Sequence, residues 1–139
     1  MTLPLYRLLV DFGLLVLIWI VQLVVYPGFG YYQRESLVKW HRKYTLQITY
    51  VVFPLMVTQL LLSGIQLWNM ISWYTGSCFL IVIWLWLSTF LQFVPLHNKI
   101  SEDDFDKKTI LQLVQKNWLR TFLWTVLFFM SLYNIETSS

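Results

Sequence analysis
The chain carries two histidines, His41 and His97. An imidazole titrates near neutral pH, so either is a candidate general acid or base. Arg120 is the third catalytic candidate, because a guanidinium can hold a phenolate or carbonyl oxygen through charge-assisted hydrogen bonds. Around these three, Tyr44, Asn98, Asn117, Trp118, Thr121, Trp124, Gln22 and Gln92 are candidates for binding a substrate. Two histidines on separate helices would also suit the axial positions of a b-type haem, an alternative in which His41 and His97 are ligands. They are too few for a structural zinc site, which takes four ligands. The single cysteine, Cys78, excludes a disulfide framework within the chain. No Cys-x-x-Cys, glycine-rich phosphate loop, His-Glu-x-x-His or Gly-x-Ser-x-Gly occurs.

The elements that must position these residues are apolar. Of 139 residues, 58% are hydrophobic, 19% aromatic and 12% charged. A soluble domain is roughly 45–50% apolar and about 25% charged. So short a chain cannot bury this much apolar surface inside one small globule. Four apolar runs, over about residues 5–27, 44–68, 75–96 and 118–134, each approach the ~20 residues that cross a bilayer. The expected fold is all-α, one antiparallel four-helix bundle in a membrane, occupying residues 1–139 as a single domain. The first run lacks a small-residue cleavage site and is read as a mature helix.

Charge orients the bundle. Nine of the ten Lys and Arg residues fall in or beside two segments, 27–43 and 98–117 (Arg120 lies just past the second), and Arg7 stands alone at the other side. Lys/Arg bias across short loops sets topology, so both segments are expected in the cytoplasm and both termini outside. The net charge of +3 is then a matter of orientation, with no nucleic-acid partner. Ser36 is expected to cap a helical extension into the second span, and Ser101-Glu102-Asp103-Asp104 to open the fourth helix as a capping box. Pro54 is expected to disturb the second span.

Depth can be counted at 1.5 Å per residue from the cytoplasmic end of each run. Gln22, Thr49, Gln92 and Thr121 then form one polar layer, with Thr89 and Thr125 a turn deeper. His41, His97, Tyr44, Asn98, Asn117 and Arg120 lie just above it, and Tyr26, Trp40, Trp118 and Trp124 are placed to wall a pocket. Intramembrane polar groups turn toward the bundle interior, which favours a shared site. The competing account is plain: aromatic and basic residues anchor interfaces, and Gln and Thr join helices. Asp11, four residues after Arg7, reads as an ion pair on one helix face.

Three stretches carry a resemblance: Val25-Tyr26-Pro27; Trp40-His41-Arg42-Lys43-Tyr44; and Val94-Pro95-Leu96-His97-Asn98-Lys99 with Asn117-Trp118-Leu119-Arg120-Thr121-Phe122-Leu123-Trp124. Together they resemble a group of small four-helix bacterial inner-membrane proteins, distantly similar to the anthrone-oxygenase-like membrane family. That likeness covers nearly the whole chain. It implies a four-helix architecture and, from members that oxygenate polycyclic phenols without a cofactor, a hydrophobic aromatic or quinone-like ligand. It carries no catalytic residue onto this chain. Two other functions stand beside a ligand site or enzyme: a haem or metal carrier, and a non-catalytic subunit or assembly factor. The expected partners are the bilayer, a hydrophobic small molecule, and a second copy or another membrane protein.

Overall fold
The computed structural model describes residues 2–138. Four helical rods carry nearly all of them: α1 (Leu3–Tyr31), α2 (Arg34–Asn69), α3 (Trp73–Ser101) and α4 (Lys107–Ser138). No strand occurs among the described residues, and the chain is all-α. α1 lies along α2 and α4, and α3 lies along the same two helices from the other side. Side-chain contacts fix the directions. Arg7 of α1 reaches Gln66 of α2, Gln22 of α1 reaches Asn117 of α4, and Tyr26 of α1 reaches His97 of α3. α1 and α3 therefore run one way, α2 and α4 the other.

α1, α2 and α3 are each long and apolar enough to cross a membrane. α4, where a span was expected over 118–134, is less apolar and does not meet that measure. Asn117, Arg120, Thr121 and Ser131 dilute its apolar run, and all four are buried against the other helices. At 36 residues α2 is about 54 Å long, well beyond a ~30 Å hydrocarbon layer. The segment 27–43, expected as a charged connection, is thus mostly helix, and only residues 32–33 separate α1 from α2. α2 runs unbroken through Pro54.

The helix starts differ from those expected. Ser36 lies inside α2, which opens at Arg34 after an extended Gln33. Ser101 closes α3 and does not open α4. The cap of α4 is Asp106: its Oδ1 accepts from the Thr109 amide at 3.1 Å, while Thr109 Oγ1 accepts from the Asp106 amide at 3.4 Å. The reciprocal bonds satisfy donors that a helix start leaves open. Ser72 and Thr75 do the same for α3. The α3–α4 turn passes through Asp103, whose φ of 60° is tolerable for an aspartate. Arg34 clasps that turn, donating to Asp103 Oδ1 at 2.7 Å and to the Phe105 carbonyl at 2.9 Å.

Two apolar clusters fill the bundle. One, around Phe29, Leu37, Phe93, Leu96, Ile100 and Leu113, lies near the α3–α4 turn. The other, around Leu14, Met56, Val82, Leu85, Trp124 and Leu127, fills the rest. Polar side chains gather inside each half.

Candidate functional site
Two π-helical turns frame the half of the bundle near the α3–α4 turn. They cover Val21–Val25 in α1 and Thr89–Phe93 in α3. In both, the backbone amide after the turn reaches five residues back, Tyr26 to Val21 and Val94 to Thr89. In both, a proline follows one residue later, Pro27 and Pro95. Proline cannot donate to the carbonyl four residues before it and its ring presses on that carbonyl. A widened turn relieves the crowding, and such bulges recur at functional sites.

The bulges aim Tyr26 and His97 at each other. The Tyr26 hydroxyl lies 3.0 Å from His97 Nε2. His97 Nδ1 lies 2.8 Å from His41 Nε2, and the two rings stack with centroids 5.0 Å apart. His41 Nδ1 lies 2.9 Å from Ser101 Oγ. Both nitrogens of both imidazoles are therefore engaged. Phe29 packs edge-on against His41 and Tyr44, holding the pair from behind.

Arg120 approaches from α4. It is 5% exposed, yet no carboxylate among the described residues meets it. Nη1 donates to Asn117 Oδ1 at 3.3 Å and Nη2 to Thr89 Oγ1 at 3.1 Å. Its guanidinium lies over the rings of Phe93, at 4.0 Å, and Trp124, at 5.0 Å. All these partners are neutral. Gln22 steadies them: its Oε1 accepts from Asn117 Nδ2 at 2.9 Å and from the Thr121 hydroxyl at 3.0 Å, and its amide donates to the Val114 carbonyl at 3.1 Å.

A cavity of about 430 Å³ opens in front of these groups. Its inner wall includes Tyr26, Tyr44, His97, Phe93, Arg120 and Trp124. Its outer wall runs between α2 and α3 through Thr49, Phe53, Trp86, Phe90 and Asn98, of which Phe53 and Phe90 are about half exposed. The cleft thus opens sideways, through the flank of the bundle. Two donors there are buried without an acceptor among the described residues, Arg120 Nε and Trp86 Nε1. Each such group costs about 1–3 kcal/mol.

The expected site residues divide. His97, Arg120, Tyr44 and Trp124 line the cavity. Asn98 stands at its mouth and is exposed. Gln22, Asn117 and Thr121 lie behind Arg120 and do not reach the cavity, so they hold the arginine and have no surface for a ligand. His41 is fully buried behind His97. Three expectations are corrected. Trp118 is 47% exposed and packs edge-on against Trp19 on the outside. Gln92 accepts from Ser88 of its own helix at 3.1 Å, because the π turn rotates it away from the layer. Trp40 lies outside this cleft and instead lines a second cavity, of about 470 Å³, with Phe29 and Tyr44.

The haem alternative does not fit. A porphyrin coordinated on both faces has to lie between its two imidazoles, and these two are bonded directly to one another. Nor do three or more His, Cys, Asp or Glu side chains converge as a metal set among the described residues.

Sequence reasoning missed Ser101 as a histidine partner, Trp86 and Phe93 as wall, and a second polar cluster at the far end. There Arg7 Nε donates to both oxygens of Asp11 at 3.0 Å, and its Nη1 to Gln66 Oε1 at 3.1 Å. Asp11 also accepts from Gln59 Nε2 at 2.6 Å and from the Ser131 hydroxyl. Arg7 and Asp11 are wholly buried. The signal was present: Gln59, Ser63 and Gln66 recur on one face of α2 at helical spacing. Scans of protein-family models, curated proteins and solved structures return no match to this chain.

Proposed function
We propose that this is an integral membrane protein whose lateral cleft binds a hydrophobic aromatic molecule bearing an oxygen, of the quinone or hydroxyarene class. The observation that carries the reading is the set of donors left over in an otherwise apolar cavity. Among the described residues Arg120 carries a buried positive charge with no counter-charge, and Arg120 Nε and Trp86 Nε1 lack acceptors. A phenolate or carbonyl oxygen supplies what they lack, by charge-assisted hydrogen bonding. Phe53, Trp86, Phe90 and Phe93 supply aromatic surface for the ring system.

The side opening supports entry from the lipid, since the mouth lies between two helices of membrane-spanning length and composition. In this reading the bundle sits in a bacterial inner membrane, with the α3–α4 turn in the cytoplasm and both termini outside, as the Lys/Arg bias favours. Likeness to the anthrone-oxygenase-like proteins belongs to the same proposal. It agrees with a pocket for an oxygenated polycycle. Catalysis would need the ligand oxygen held at Arg120 while a proton moves at Tyr26.

The test is binding of 1,8-dihydroxyanthraquinone to the purified full chain in lipid nanodiscs, read by quenching of tryptophan fluorescence. Saturable quenching by this dye, far weaker quenching by anthracene, and loss of saturation in Arg120→Met are expected. Equal binding of dye and anthracene, or no saturation in the wild type, would overturn the reading.

A further inference from the structure
Neither histidine has a nitrogen to spare, so neither can take a proton from a ligand directly. The groups with spare capacity are the two ends of their hydrogen-bonded chain. A hydroxyl offers one donor and two acceptor positions, and Tyr26 and Ser101 each spend one of these on an imidazole. Tyr26 is 4% exposed and faces the inner cavity. Ser101 is only half-buried and stands at the mouth, beside the exposed Arg42, whose Nε donates to the Ser101 carbonyl at 2.7 Å.

We propose that Ser101, His41, His97 and Tyr26 form a proton relay joining an oxygen of the bound aromatic to the solution at the mouth of the cleft. The inference rests on the cavity being a site for an oxygen-bearing aromatic. Each bond in the chain holds one hydrogen, so all of them point the same way. In one state Ser101 donates to His41 Nδ1, His41 Nε2 to His97 Nδ1, His97 Nε2 to the Tyr26 oxygen, and Tyr26 into the cavity. A proton arriving from water binds Ser101 Oγ. The Ser101 O–H, His41 Nε2–H, His97 Nε2–H and Tyr26 O–H bonds break in turn, and each hydrogen bonds to the next atom along. The last forms an O–H bond on a ligand oxyanion. One proton has entered, one has left, and both imidazoles have exchanged tautomers. In reverse, a ligand hydroxyl loses its proton and the phenolate is left beside Arg120.

The charged and titratable groups facing the two imidazoles are Tyr26 from α1, Tyr44 from α2 and Arg120 from α4, with Arg42 beside Ser101. Apart from each other, the titratable rings nearest the imidazoles are the two phenols. A hydrophobic ligand filling the cleft would keep water from its inner end, so the chain along the wall, with His41 behind it, is the route left for a proton.

The experiment is a stopped-flow pH jump on the full chain in nanodiscs holding 1,8-dihydroxyanthraquinone, whose absorption differs between phenol and phenolate. Occupancy is set to saturation for each variant by tryptophan quenching, so rates are per bound dye. Wild type is expected to change colour at least tenfold faster than Tyr26→Phe and His41→Gln. Ser101→Ala, a small change at a half-buried position, is expected to slow it severalfold, and Ser101→Thr, which keeps the hydroxyl, to restore it. Saturable binding with equal rates in all variants overturns the relay and leaves the binding site standing. Slowing in Tyr26→Phe alone overturns the route through the histidines. No saturable binding in the wild type overturns both.

Discussion
Arg7 and Arg120 are both buried inside the same bundle, one toward each end, and they are served in opposite ways. Arg7 meets Asp11, which is held in turn by Gln59 and Ser131, and Gln66 takes a further donor. Burying two charges costs several kcal/mol each, and a pair with its remaining lone pairs satisfied recovers much of that. The Arg7 cluster ties α1 to α2 and α4, and the cleft beside Arg120 does not reach it. Arg120 meets only neutral dipoles and aromatic faces and fronts a cavity, although each arginine keeps one donor unpaired among the described residues, Arg120 Nε and Arg7 Nη2. The contrast separates two uses of a buried cation. One meets a carboxylate and ties helices together, and the other, on the function proposed above, leaves its match to a ligand in the cleft.

The largest effect that can break this contrast is at Asp11. Asp11→Leu strands a buried guanidinium, and denaturant titration in micelles should register a loss of about 3–5 kcal/mol. A loss within the range of an exposed pair, below about 1 kcal/mol, would mean the cluster is not the structural one. Next comes Arg120→Met, with the opposite sign pattern. Affinity for dihydroxyanthraquinone should fall by about 1.5–3 kcal/mol, the worth of a hydrogen bond to a charged group. Stability should hold or rise, because an uncompensated buried charge has been removed. A large loss of stability with affinity intact would exchange the roles of the two clusters.

Smaller effects sharpen the comparison. Asn117→Leu removes an acceptor from Arg120 and a donor from Gln22, so both stability and dye affinity should drop by about 1–2 kcal/mol. Trp124 joins the clusters, its ring under Arg120 and its Nε1 donating to Gln59 at 3.2 Å. Double-mutant cycles of Trp124→Phe with Arg120→Met and with Gln59→Leu should each show about 0.5–1 kcal/mol of coupling. Arg120→Met and Asp11→Leu should be additive, and coupling between them would show that the two clusters act as one.

How far these clusters could be read beforehand differs by residue. The four apolar runs and the common height of His41, His97, Tyr44 and Arg120 were legible, because rise along a helix is a property of the chain alone. Asp11 was legible as a partner of Arg7, but not as the centre of a network that draws in Ser131, 120 residues away. Gln92 was misplaced and Tyr26 undervalued for one reason. Each sits at a π turn, and one extra residue in a turn rotates everything beyond it by about 100° relative to a regular count.

The sequence by itself determined that the chain would be helical, that three of its helices would have membrane-spanning length and apolarity, and that both histidines would fall toward one end. Those properties follow from composition and from rise per residue, which neighbours do not alter. Only the tertiary structure decided which side chain answers which. It brought His41 onto His97, turned Trp118 outward, drew Gln59 and Ser131 onto Asp11 and left Arg120 without a carboxylate among the described residues. Rotation about a helix axis is set by packing against the other three helices and by the widened turns before Pro27 and Pro95. Each is a balance among surfaces distant in sequence, so no local pattern could fix it.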